Sequence, residues 1–168
     1  RVCSMYMYPL SFMEFLAACG HSSLVEAIIK GEIFSEVIHL KLMDLVGEYL
    51  AIGGMPEAVT KWLESRNPKE CFQVHHNLIT SYRQDFEQYS DKHQIKYVET
   101  LFRQIPHFIG EQFQYKNIHG EYRKRELAPC LDLLCKANVI HKIHHGAGNG
   151  IPLGAEINLE WFKIILVD

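Results

Sequence analysis

Apolar residues recur at spacings of three and four from Ser11 to about Ser90, the period of helices that bury one face. Ser11-Phe12-Met13-Glu14 has the form of a capping box, and Phe12, Phe15 and Leu16 supply an apolar stripe that stops at Gly20. Ser22 or Ser23 is expected to cap a second helix, with Leu24, Ala27 and Ile28 on its inner face and Gly31 as its stop. Ile38, Leu42, Leu45, Tyr49 and Ile52 place a third helix from about Ser35 to Ile52. A short helix from Pro56 to Glu64 follows, carrying Ala58, Val59, Trp62 and Leu63. Asn67-Pro68 then opens a longer one that runs to about Tyr89. Ahead of all these, Arg1 to Pro9 reads as a short strand or an extended lead-in.

From Asp91 the grammar changes. Val98, Leu101, Phe102, Ile105, Phe108 and Ile109 predict a helix from about Gln94 to Phe113, kinked or split at Pro106. Tyr115 to Ile118 is a short polar stretch, and Arg123-Lys124-Arg125 leads into a helix with Leu127, Leu131 and Leu134, stopped near Asn138. Pro129 is expected in the first turn of that helix, where it is tolerable. Ile140 to His145 alternates as a strand does, and Gly146 to Gly150 is a turn. Ile151 to Asp168 returns as a second strand and then an apolar element from Trp161 to Val167. Helix, short helix, helix, strand, turn, strand is the order of a winged-helix module. The fold expected is therefore mostly α: a helical bundle over residues 10–90, then a winged-helix-like α+β module with a small β-hairpin over 91–168.

Composition narrows the classes. The 168 residues are 48% hydrophobic and 22% charged, with a net charge of −3, which argues against a generally basic nucleic-acid binder. No apolar run approaches the roughly 20 residues that span a bilayer. The N-terminal residues lack the apolar core of a signal peptide and lack an initiator Met, so they read as the middle of a polypeptide. Five cysteines, an odd number scattered through helical patterns, fit buried free thiols in a reducing cytoplasm. His75-His76 and His144-His145 point apart whether on a helix or a strand, so neither pair chelates alone, and no metal site is expected. Nucleophile signatures are missing too, and no catalytic residue is assigned.

Two short segments carry candidate chemistry. Gly53-Gly54-Met55-Pro56 is a helix stop followed at once by a helix start, with Gly relaxing the cap and Pro giving up no needed N–H. Arg123, Lys124 and Arg125 stand where a helix-turn-helix unit brings the N-terminus of its second helix to base edges. Three charges alone supply only a weak counterion-release term, and they also suit an ordinary solvated helix start. Arg83 and Asp85 invite a phosphate-stabilising role, against which stands the commoner structural ion pair on a polar helix face.

Tyr8-Pro9-Leu10-Ser11-Phe12-Met13-Glu14-Phe15-Leu16 resembles the segment leaving the ATPase core in a prokaryotic family of AAA-type P-loop ATPases, predicted ATPases with a C-terminal domain of unknown function. Three further segments agree in order and spacing. They are Tyr49 to Val59, Ile79 to Tyr89 with Ser81-Tyr82-Arg83-Gln84-Asp85-Phe86, and Ile151 to Asp168 with Ile-Pro-Leu-Gly-Ala-Glu and Phe-Lys-Ile. The resemblance implies that residues 1–9 leave the ATPase core, that 10–90 form its helical lid, and that 91–168 hold the winged-helix-like module and the start of a C-terminal domain. It also implies a phosphate-binding loop and a Walker B strand upstream, neither of which this chain contains. Gly54, Met55 and Pro56 would then contact the adenine of ATP, bound with Mg in the parent protein and not by this chain alone. The missing P-loop core is the implied partner, with no membrane and no hydrolysis by the chain itself. The alternative is a stand-alone winged-helix regulator that binds DNA through Arg123, Lys124 and Arg125, with the helical part for dimerisation or sensing.

Overall fold

The capping box forms as its residues demand. Ser11 N–H donates to Glu14 Oε2 at 2.8 Å while Glu14 N–H donates to Ser11 Oγ at 3.4 Å, which opens α1 (Phe12–Ala18). The computed structural model describes every residue except 1, 2, 4, 6, 90–93 and 148–155. By its contacts the chain divides into two units, residues 1–80 with Asp168, and residues 81–167.

In the first unit α1 is followed by α2 (Ser22–Lys30), α3 (Glu36–Ile52), α4 (Pro56–Ser65) and the start of α5 (Pro68–Tyr89). The cap of α2 is His21, not a serine: its carbonyl accepts from Leu24 and Val25 N–H, which places both serines inside the helix. Gly31 ends α2 in the left-handed conformation, φ 68°. One apolar cluster joins Leu16, Leu42 and Leu45 to Phe12, Leu24, Val25, Ile28 and Phe34. A second joins Ile52, Ala58, Cys71 and Val74 to Met55 and Trp62. Tyr49 is only half-buried, because its phenol reaches out to donate to the Leu10 carbonyl at 2.7 Å. Ile38 is partly exposed and falls outside both clusters.

The second unit is built around α6 (Ile95–Gln104), α7 (Lys124–Lys136) and an antiparallel hairpin of β1 (Ile140–Gly146) and β2 (Ile157–Leu166). Pro106 has no N–H to donate, so α6 ends and the chain tightens into a 3₁₀ turn over Ile105–Phe108. Gln112 then bridges Lys163 on β2, and Phe113 N–H donates to Phe162 O at 2.9 Å. This adds a one-residue third rung to the sheet before the 3₁₀ turn Tyr115–Asn117 and α7. Helix, edge bridge, short turn, helix and hairpin is a winged-helix-like order. Val98, Leu101, Ile105, Leu127, Leu131, Leu134, Ile140 and Ile164 fill the core.

Two further expectations change in the structure. Pro129 lies inside α7 beyond the first turn, where its exposed ring costs one backbone hydrogen bond. The apolar stretch from Trp161 is no separate element but continues β2, because Ile140 to His144 pair with Leu166 to Phe162. On β1 the inward face carries Ile140, Lys142 and His144, while Ile143 is half exposed. Phe162 receives Lys142 Nζ at 5.3 Å from its centroid and the His144 ring at 5.7 Å. The Lys142 ammonium then reaches Asp132 at 2.5 Å, its stem packed as long cationic side chains often are. Most of the expected Gly146 to Gly150 turn, the Ile151 start of the second strand and the change of grammar at Asp91 lie outside the described residues.

Candidate functional site

The backbone of the corner between α3 and α4 is tightly constrained. Gly53 closes α3 with its N–H on Tyr49 O at 2.8 Å and adopts φ 75°, ψ −176°, a conformation that is almost the preserve of glycine. Gly54 is buried, and its two backbone polar groups are both taken. Its carbonyl accepts Leu10 N–H at 2.7 Å, and its N–H donates to Asp168 Oδ1 at 2.8 Å. A Cβ built on Gly54 would run into the Leu10 carbonyl oxygen and stand 2.9 Å from Leu10 N. Met55 is the cap of α4, in extended conformation, and Pro56 is its first residue. Met55 is half-buried against the Ile52 cluster, whereas Pro56 is exposed. The Asp168 carboxylate adds negative charge just ahead of α4, the end of a helix where anions are favoured. Burial raises the Tyr49 phenol pKa, and the charges of Asp168 and Glu14 raise it further.

Of the three expected base contacts, then, Gly54 faces the lead-in segment and Asp168. The surface a flat ring could meet belongs to Met55 and Pro56. Neither Leu10 nor Asp168 was identifiable from local pattern: Asp168 is 114 positions from Gly54 along the chain. Only the paired glycines hinted that something approaches the backbone there.

At the start of α7 the basic run is split between roles. Arg123 precedes the helix, and its N–H donates to Glu126 Oε2 at 2.8 Å. A guanidinium has no acceptor for the helix, so the cap is supplied from the Glu126 side alone. That backbone hydrogen bond holds the Glu126 carboxyl below the usual range, helped by the Tyr97 hydroxyl and the charges of Arg125 and Arg123. Lys124 pairs with Glu160 of β2 at 2.7 Å and lies 5.9 Å from the Tyr115 ring centroid. Arg123 and Arg125 are exposed and make no ion pair among the described residues. Lys116, exposed in the turn ahead of α7, is a further cation that sequence reasoning passed over.

Arg83 and Asp85 are both exposed on α5, and neither makes an ion pair among the described residues. Among the described residues no group of three or more His, Cys, Asp or Glu could hold a metal ion. Burial pushes the Cys130 and Cys135 thiols up, away from the thiolate that reacts or ligates. No helix among the described residues is long and apolar enough to cross a membrane.

A domain family of unknown function, DUF8612, matches residues 43–168, most of the chain. The chain belongs to the DUF8612 family. The DUF8612 region starts inside α3 and takes in the Gly53–Pro56 corner, α4, α5 and all of the second unit, so both candidate segments lie within it. No curated protein and no solved structure matches the chain.

Proposed function

We propose that this DUF8612 chain is the lid and adaptor part of a AAA-type P-loop ATPase, meeting the adenine of ATP at Met55 and Pro56 and passing nucleotide state to a partner domain. One observation carries the reading. Leu10, within the Tyr8–Leu16 segment that resembles the exit from the ATPase core, is fixed to the corner by two hydrogen bonds, Leu10 N–H to Gly54 O and Tyr49 hydroxyl to Leu10 O, each 2.7 Å. A lead-in so tied moves with the corner, which is what coupling of nucleotide state to lid position requires. The exposed Pro56 ring beside the half-buried Met55 offers a flat apolar surface of the kind a purine stacks on. Hydrolysis belongs to the phosphate site, which these residues do not include.

The coding frame tests this directly. The reading expects an upstream Gly-x-x-x-x-Gly-Lys-Ser/Thr in the same frame, and a stop codon in its place would overturn it. A second reading, DNA binding by a winged helix, draws on the exposed Arg123 and Arg125 and on the third rung that Gln112 adds to the sheet. Lys124 counts against it only slightly, since its ammonium pairs with Glu160 while both groups stay exposed. A gel-shift titration at low salt separates the two. Binding that disappears on changing Arg123, Lys124 and Arg125 to Ala supports the second reading, and no shift removes it.

A further inference from the structure

Within the second unit α5 and the end of α7 enclose a groove of about 360 Å³, toward the small end of ligand-sized pockets. Tyr82, Phe86, Leu133 and Val139 make its apolar walls, and Asp85 and Lys136 contribute the charged groups of its lining. Among the described residues these two charges make no ion pair, with each other or with any other group. Elsewhere in this unit Lys124 is paired with Glu160 and Lys142 with Asp132, whereas Arg123 and Arg125, like Asp85 and Lys136, carry no ion pair among the described residues. Phe86 and Tyr82 are held from behind by Phe102, at centroid distances of 5.2 and 6.4 Å, so the apolar walls are braced by an aromatic neighbour. The lip by α7 is set by Asn138, in the left-handed conformation at φ 56°, with Asn138 and Val139 N–H closing back on Cys135 and Leu134 carbonyls.

An apolar groove with one unpaired anion and one unpaired cation in its lining is complementary to a ligand of matching form. We propose that it binds a small zwitterion with an apolar body, an aliphatic or aromatic α-amino acid. The ligand side chain lies against Phe86, Leu133 and Val139, its ammonium faces Asp85, and its carboxylate faces Lys136. Both charges are exposed, so each contributes modestly, up to about fivefold in affinity. The site is independent of the corner at Gly53–Pro56, and neither its presence nor its failure bears on the ATPase reading.

The test is an amide-shift titration of the full chain with L-leucine, with isoamylamine, which lacks the carboxylate, and with isocaproate, which lacks the ammonium. The expected result is saturable shifts at Phe86, Leu133 and Val139, with leucine binding up to about fivefold more tightly than either single-charge analogue. Asp85→Asn should reduce leucine to the affinity of isocaproate without changing isocaproate itself. Lys136→Gln should reduce it to the affinity of isoamylamine. These surface changes are near-isosteric, and the unperturbed analogue in each case reports that the groove is intact. No saturable shift at these residues, equal binding of all three ligands, or leucine affinity unchanged in both variants would overturn the proposal.

Discussion

At Gly54 a single methyl group separates a tolerated residue from a clash with backbone. The atom it would meet is the Leu10 carbonyl oxygen, which cannot swing aside as a side-chain end can. Gly54→Ala is expected to destabilise the chain by about 1–3 kcal/mol, the usual range for overpacking, measured by urea unfolding. Gly47, inside α3 with nothing within 4 Å of a built Cβ, is the contrasting case. Gly47→Ala should stabilise by about 0.5–1 kcal/mol, since the helix gains a better former at no steric cost. Equal effects at the two positions would contradict the packing described at the corner. Tyr115 offers a second residue-level check. Burial, with smaller contributions from the charges of Asp132, Cys135 and Glu160, raises its phenol from 10.0 to about 12. A folded value above the unfolded one favours the neutral phenol, so this contribution is complete below about pH 10 and is lost as pH rises toward 12. Tyrosinate absorbance should therefore show a group titrating at about pH 12 in the folded chain, and Tyr115→Phe should remove it. What could be read from residues alone was the corner itself, because Gly-Gly followed by Pro is a local signal. What covers it could not be read, because Leu10 and Asp168 arrive from distant parts of the chain.

The elements follow their sequence signals where the signal is local and depart where tertiary contacts decide. Pro106 splits its helix as the missing N–H requires, and Ser11 and Glu14 cap α1 as a pair. The same local rule misplaced the cap of α2, since the His21 carbonyl, not a serine hydroxyl, receives the first N–H groups. On β1, period-two alternation was legible but its direction was not. Lys142 and His144 turn inward because Phe162 gives them a ring to lie on and Asp132 takes the ammonium. The start of α7 lends itself to a pH test. The Glu126 carboxylate accepts the Arg123 N–H, and its folded pKa is lowered, so its contribution is present above the ordinary carboxyl range and is lost as pH falls through the lowered value. Glu126→Gln keeps an acceptor and removes the charge. The wild-type chain should exceed this variant in stability at neutral pH, with the margin closing as pH falls below about 4. A margin independent of pH would show that the charge at this helix start is unimportant.

For the molecule as a whole, the hydrophobic pattern pointed to a mostly helical chain with a small hairpin, which is what the structure has. Function was less legible, because neither candidate segment is a complete site. The corner supplies an apolar surface without phosphate ligands, and the α7 start supplies exposed arginines with its lysine already paired. Membership of DUF8612 places both in one family domain without assigning either an activity. The account rests on the corner being half of a nucleotide site whose phosphate-binding half lies elsewhere in the same polypeptide. Calorimetric titration with Mg-ATP of two polypeptides, this 168-residue chain and the product of its whole reading frame, tests that most directly. The account predicts a saturating isotherm for the longer polypeptide and none for the chain, because the phosphate site supplies most of the grip. Tight binding by the chain alone, or no binding by the longer polypeptide, would contradict it.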